Sequence, residues 1–216
     1  YTDKVSRNGL RVGDLELDFE NRYNAARNRH LLQLKQMGFE IPADFEATEQ
    51  LWLQAAKSLE RFLLTDTDWL INDALRQGKK VLAEGAQGTM LDVDFGSYPF
   101  VTSSNTVTAG ACVGLGVAPR NIGDVYGIFK AYCTRVGAGP FPTELFSADG
   151  KTMRDRGHEY GAVTGRERRC GWIDLVALRH AIQINGVTKL IMMKSDVLDS
   201  FPIIGACVAY DIDGQG

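Results

Sequence analysis

The 216 residues predict an α/β fold, a mainly parallel sheet flanked by helices with a helical stretch inserted near its start. Short apolar runs at Val81-Leu82-Ala83 and Thr188–Met193 end in polar turns, which suits buried parallel strands, whose ligands bind at the strand C-termini. Between residues 14 and 78 the apolar positions instead recur three or four apart, the period of a helix with one buried stripe. Residues 173–185 show that stripe again just before Thr188–Met193, and both Val125–Tyr132 and Gly205–Tyr210 have strand character.

Composition narrows the function classes. The chain is 44% apolar and 24% charged, ordinary for a globular protein, and is long enough for one domain or one domain with an insertion. A net charge of -3 argues against a general nucleic-acid-binding surface, although a local basic site remains compatible with it. Cys112, Cys133, Cys170 and Cys207 lie far apart with no Cys-x-x-Cys pair, so reduced thiols and a cytoplasmic location are the simpler expectation. No apolar run approaches the ~20 residues that span a bilayer, so no membrane partner is expected. The chain lacks an initial methionine, and Tyr1-Thr2-Asp3-Lys4 reads as the interior of a longer protein.

Residues 1–13 mix charges with two glycines and read as a connecting segment, in which Arg7 and Arg11 stand out because a guanidinium fork matches phosphate. A solvated arginine is the ordinary alternative. Residues 14–78 form the helical subregion. From Asp18 to Met37 the stripe Phe19, Tyr23, Ala26, His30, Leu34 and Met37 predicts a helix with Asp18 as a possible N-cap and Gly38 as its stop; His30 on that stripe reads as packed. A second helix follows Pro42, and a third runs from about Asp68 to Gln77; Trp52 and Trp69 read as core or interface anchors.

Residues 79–216 are the α/β part of the same domain and hold the candidate site. After Val81-Leu82-Ala83, two glycines flank Gln87, whose amide can both donate to and accept from a purine or ribose edge. Thr102-Ser103-Ser104-Asn105-Thr106 can wrap a phosphate, although such runs are usually capped turns. Glycines after Val136 leave room for backbone near a ribose, or for a tight structural loop. Arg166, Arg168 and Arg169 fall within four positions of a glycine-containing loop and repel one another unless anions or carboxylates neutralise them. The polar turn Lys194-Ser195-Asp196 follows a strand candidate; a carboxylate there can accept from guanine N1–H and its exocyclic amine, while a helix N-cap is the bland reading. His158 and His180 read as a surface-loop and a structural histidine, and no histidine is a convincing catalytic acid.

The stretches EGAQGTMLDVDFGSYPFVTSSNT, KAYCTRVGAGPFPTEL and TGRERRCGWIDL closely resemble adenylosuccinate synthetase, over nearly the whole chain. The resemblance implies an incomplete P-loop-NTPase-like fold of that family, a central fragment without the N-terminal glycine-rich phosphate loop, the catalytic histidine or a C-terminal part. It implies a GTP-dependent ligase of purine biosynthesis that joins L-aspartate to IMP in two steps, phosphorylation of the IMP 6-oxygen and displacement of phosphate by the aspartate amine. The implied full protein is a homodimer, with GTP as co-substrate and Mg2+ whose ligands are expected outside these residues. Carried over by position, Arg7, Gln87, Thr102, Val136 and Arg166 contact IMP, with Arg7 reaching the partner subunit's IMP phosphate. Ala162, Val163, Thr164, Gly165, Arg166, Glu167 and Arg168 form the aspartate loop, and Arg168, Lys194, Ser195 and Asp196 the GTP side. Many family members carry two adjacent threonines where Val163 precedes Thr164 here, so one hydroxyl contact to aspartate is absent. No catalytic and no metal-ligating residue is expected among the 216, and the isolated chain is expected to be inactive. The alternative is a stand-alone guanine-nucleotide-binding module using Lys194 and Asp196.

Overall fold

The structure, a computed structural model, describes residues 1–212; the last four residues of the expected 79–216 part lie outside them. By internal contacts the chain divides into two compact units, residues 1–70 and Ile71 onward.

The first unit is helical. It contains α1 (Thr2–Ser6), α2 (Asp14–Leu17), α3 (Phe19–Gln36) and α4 (Phe45–Lys57), and the unit boundary falls within α5 (Thr67–Arg76). The predicted stripe on α3 is used: Phe19 and Tyr23 stack on each other and on Trp52 of α4, with ring centroids 5.3 to 6.2 Å apart. At one end of that stack Glu49 accepts from the Tyr23 hydroxyl and pairs with Arg27. Burial first, and the Glu49 carboxylate second, push the Tyr23 hydroxyl up to about 12. Asp14 is buried because it accepts from the Arg11 backbone N–H at 2.7 Å and pairs with Arg22. Two expectations are corrected here. Trp52 and Trp69, read as core or interface anchors, both remain substantially exposed, which corrects the core half alone; His30 is exposed beside Arg29 and Asp3 rather than packed. A two-helix stack covers each apolar stripe from one side only, which leaves its outer faces open.

The second unit is α/β. In chain order it contains α6 (Ala109–Leu115), β1 (Tyr126–Lys130), β2 (Cys133–Arg135), α7 (Ala148–Gly157), β3 (Arg169–Gly171), β4 (Ile173–Asp174), α8 (Leu175–Asn185), β5 (Lys189–Met193) and β6 (Ala206–Cys207). Strands β1 and β5 pair in parallel from Tyr126 opposite Lys189 to Lys130 opposite Met193. Strands β4 and β6 are also parallel, whereas β2 and β3 are antiparallel. The core forms just past the C-terminal ends of the β1–β5 pair: Ala131 and Tyr132 follow β1, Val197 and Leu198 follow β5, and Met153 of α7 and Cys170 of β3 fill the space between. The turns at the ends of β1 and β5 therefore stand on the best-packed part of the unit.

Two further expectations change. Val81-Leu82-Ala83 forms no ladder, and Leu82 is 89% exposed. A strand exists only where a neighbour takes its N–H and C=O groups, and no described strand lies beside this run. His180 is exposed, while Val176, Ala177, Ala181 and Ile184 of the same helix are half-buried.

Helix α8 starts where the sequence allows it. Asp174 is its N-cap, accepting from the Ala177 backbone N–H at 2.9 Å, and its other oxygen accepts from the Tyr210 hydroxyl. One buried carboxylate thus ties the helix start to the segment after β6. Asp174→Ala removes both bonds and is expected to cost about 2 kcal/mol, read as a lower urea midpoint of the chain.

Candidate functional site

The turn after residue 84 is shaped by one buried carboxylate. Asp92 is fully buried and accepts from four backbone N–H groups: Asp94 and Phe95 on Oδ1 at 2.9 and 3.0 Å, Thr106 and Val107 on Oδ2 at 2.6 and 3.2 Å. Burial alone raises its pKa, but those four donors outweigh burial and lower it. Through this carboxylate the end of the Thr102–Thr106 run is fixed against the turn that follows Gln87. Thr106 Oγ1 donates to the Gly88 carbonyl at 2.7 Å, and Thr102 Oγ1 donates to the Leu91 carbonyl at 2.9 Å. Gln87 is exposed and left-handed, with φ 63°, a conformation that costs a non-glycine residue about 1–2 kcal/mol and is kept where its surroundings demand it.

The Val136 loop is held from two sides. Arg135 donates to the Ala138 carbonyl at 2.9 Å, to Ser97 Oγ at 3.2 Å and to the Phe100 carbonyl at 3.1 Å, joining this loop to the turn that leads into Thr102. Arg169 donates to the Gly137 and Gly139 carbonyls, both at 3.0 Å, and pairs with Glu144. The β2–β3 register sets Arg135 opposite Arg169, so one ladder aims both guanidinium groups at one loop. Val136 itself is exposed. A Cβ on Gly139 would sit 2.2 Å from the Arg135 guanidinium, and its φ is +112°, so glycine is required there.

The arginine loop resolves its own repulsion unevenly. It closes as a tight hairpin: Gly161 N–H donates to the Arg166 carbonyl at 2.8 Å, Gly165 N–H to the Gly161 carbonyl at 2.8 Å, and Gly165 is left-handed at φ 64°. Ala162, Val163, Thr164, Gly165, Arg166 and Glu167 are all exposed, Val163 at 96%. Glu167 pairs with Arg154 at 3.0 Å rather than with an arginine of the loop. Arg169 is matched by Glu144 and Arg168 by Glu159, so among the described residues Arg166 is the loop guanidinium without a carboxylate.

Glu159 is the centre of the second group. It is 0% exposed at the end of α7, and its Oε1 accepts from Lys130 Nζ at 2.8 Å, the Tyr132 hydroxyl at 2.6 Å and Lys194 Nζ at 3.1 Å, while Oε2 accepts from Arg168 at 2.7 Å. Lys194 also donates to the Gly157 carbonyl. Burial pushes this carboxyl up, but the Lys130, Tyr132 and Arg168 donors win and hold it at about 2; the same contact, after burial, drives the Tyr132 hydroxyl upward. Beyond Lys194 the chain makes one short turn, Ser195–Leu198, whose Val197 and Leu198 are buried in the core. Ser195 and Asp196 are left exposed at the end of β5, and the Asp196 carboxylate hydrogen-bonds to no other described residue.

Arg168 and Lys194 thus meet on one carboxylate, and Gln87, Thr102 and Val136 lie on loops tied through Asp92 and Arg135. Arg7 belongs to the first unit, left-handed at φ 62° and exposed. Sequence reading missed Glu159, Asp92, Arg135 and Lys130. Asp92 stands between Leu91 and Val93 and Glu159 between His158 and Tyr160, a local context that does not by itself distinguish a buried acid from a solvated one.

Comparison with known proteins bears on this arrangement. A family model described as adenylosuccinate synthetase matches residues 1–216. The adenylosuccinate synthetase of Porphyromonas gingivalis is 68% identical over 216 residues, all of this chain and 51% of that protein; that of Bacteroides thetaiotaomicron is 64% identical over 215 residues, 100% of this chain and 50% of that protein. The structure of fully ligated adenylosuccinate synthetase from Plasmodium falciparum superposes with a TM-score of 0.84 at 40% identity, over 93% of this chain and 47% of that one. A cyanophage S-2L succinoaminodeoxyadenylate synthetase bound to dGMP and dATP as an energy donor superposes with a TM-score of 0.50 at 26% identity, over 65% of this chain and 45% of that one. The chain spans about half the length of the curated relatives it matches.

The Glu159 cluster has an acid signature. A carboxyl whose folded pKa lies below its unfolded value stabilises the fold above the unfolded value and loses that contribution as pH falls through the folded one. From the ordinary 4.5 to about 2, the urea midpoint is expected to drop, and Glu159→Gln is expected to flatten that decline.

Proposed function

The chain belongs to the adenylosuccinate synthetase family, and from that premise we propose that it forms the substrate-reading part of a GTP-dependent carbon–nitrogen ligase. The reaction is the joining of L-aspartate to IMP, giving adenylosuccinate, GDP and phosphate. The observation that carries this reading is the convergence of Lys194 and Arg168 on buried Glu159, with exposed Asp196 and uncommitted Arg166 on either side.

In this reading Asp196 accepts from guanine N1–H and the exocyclic amine, and the Lys194 stem packs along the base. Three cations face one carboxylate at Glu159, leaving an excess of positive charge suited to a phosphate-bearing ligand. Arg166, with Ala162, Val163, Thr164, Gly165 and Glu167, forms the loop that takes the aspartate dicarboxylate, and Arg166 also meets IMP. Thr164 supplies one hydroxyl, which is occupied only weakly by the Arg166 backbone N–H at 3.4 Å. Gln87, Thr102 and Val136 line the IMP side, and Arg7 reaches the IMP phosphate of a partner subunit in a homodimer. The four cysteines are all free, in keeping with the cytoplasm.

What these residues do is bind and orient. Holding the aspartate amine beside the IMP 6-position converts a bimolecular step to an intramolecular one, and fixed cations stabilise charge on the phosphoryl group. Among the described residues no three His, Cys, Asp or Glu side chains come together as a metal site. A magnesium ion carried on the GTP phosphates would offset charge on the transferred group, with its protein ligands outside these residues.

The isolated 216-residue chain is proposed not to turn over. Purified chain supplied with IMP, aspartate, GTP and magnesium is expected to release no phosphate above background; sustained release would overturn that statement. Tight GTP binding by the chain without IMP, lost in Asp196→Ala, would instead favour a stand-alone guanine-nucleotide module. The base of the donor is a separate question, because the cyanophage relative was solved with dATP as its donor. In the intact gene product that carries this chain, Asp196→Asn is expected to raise the KM for GTP about 100-fold and to narrow its preference over ATP, the loss of paired bonds to a charged acceptor.

A further inference from the structure

We infer that Glu159 is a positioning residue that couples the guanine-reading turn to the dicarboxylate-reading loop. The inference rests on the roles proposed above for Lys194 and Arg168. Its own ground is geometric. The two side chains reach the same buried carboxylate from opposite oxygens, Lys194 Nζ 3.1 Å from Oε1 and Arg168 2.7 Å from Oε2. Glu159 also holds the loop by its backbone, since the Arg168 N–H donates to the Glu159 carbonyl at 2.9 Å.

The surroundings are built around that carboxylate. His158, the residue before it, and Lys194, which it binds, are both left-handed non-glycine residues, at φ 50° and 59°. Each is a costly backbone state kept only where neighbours over-determine it. A Cβ on Gly157 would lie 2.3 Å from the Tyr132 hydroxyl, so glycine there leaves Tyr132 room to donate to Glu159. Lys130 supplies a third cation at 2.8 Å. With the carboxylate gone, Lys130, Lys194 and Arg168 repel at close range, so the base-reading turn and the substrate loop are displaced together. Neither Asp196 nor Arg166 hydrogen-bonds to Glu159, so Glu159 acts on them through Lys194 and Arg168.

The test uses the intact gene product that carries this chain, with steady-state KM for GTP and for aspartate, kcat and the thermal midpoint. Glu159→Gln keeps the side chain's size and removes its charge; it is expected to raise both KM values about tenfold with kcat changed far less, because misplaced binding groups lose affinity before chemistry. Glu159→Asp keeps the charge on a shorter stem and is expected to show the same paired rise, about threefold, and it carries the test should the glutamine variant not fold. A lower thermal midpoint with both KM values unmoved makes Glu159 structural only and overturns the proposal. A rise in one KM alone overturns the coupling. Failure of the underlying reading is separately visible: Asp196→Asn would then leave the KM for GTP unchanged, and the proposal falls with it.

Discussion

A glutamate carboxylate with no solvent exposure, surrounded by two lysines, an arginine and a tyrosine, holds together the end of the second unit where β1 and β5 finish. An isolated buried carboxylate would take up a proton or drag in water, and removing one partner of a buried pair costs about 3–5 kcal/mol. Here four donors outweigh the burial. The consequence is geometric: the turn after α7 brings Glu159, β1 and the turn after it bring Lys130 and Tyr132, the residue before β3 brings Arg168, and the residue after β5 brings Lys194. Four segments are registered by one functional group, beside the apolar cluster of Met153, Cys170, Val197 and Leu198.

Asp92 and Asp174 repeat the tactic with backbone partners. Asp92 accepts four N–H groups and so fixes a long irregular stretch that has little regular secondary structure of its own, while Asp174 caps α8 and takes the Tyr210 hydroxyl. Loops that read ligands need rigid support without a hydrogen-bonded ladder, and a buried carboxylate with several donors supplies it. The arginines sort by the same logic. Arg135 and Arg169 hold the carbonyls of the Val136 loop, Arg169 also pairing with Glu144, Arg168 pairs with Glu159, and Arg166 has no carboxylate partner among the described residues.

The apolar strands carry a different lesson. Ile128 and Met192 lie on a two-stranded parallel ladder and stay exposed, although their sequence reads as the inside of a sheet. Parallel strands are stable where both faces are covered, and among the described residues this pair has one strand neighbour each. Leu82, in the run that forms no ladder, shows the same mismatch between an apolar sequence and an open environment.

Periodicity and turn chemistry by themselves determined much of the architecture. The helices at Phe19–Gln36, Thr67–Arg76 and Leu175–Asn185, and the strands at Tyr126–Lys130 and Lys189–Met193, fall where apolar spacing predicted them, because that spacing reports which face of a local element must be covered. The long motifs determined the family, since such stretches of specific residues do not recur by chance. Tertiary structure alone decided which charges are buried and with whom. Glu159 and Glu167 are the same residue type eight positions apart, yet one has no exposure and three cationic partners, and the other is exposed on Arg154. Local sequence cannot distinguish them, because the pairing energy depends on groups 9 to 35 residues away that only the folded chain brings within hydrogen-bond reach.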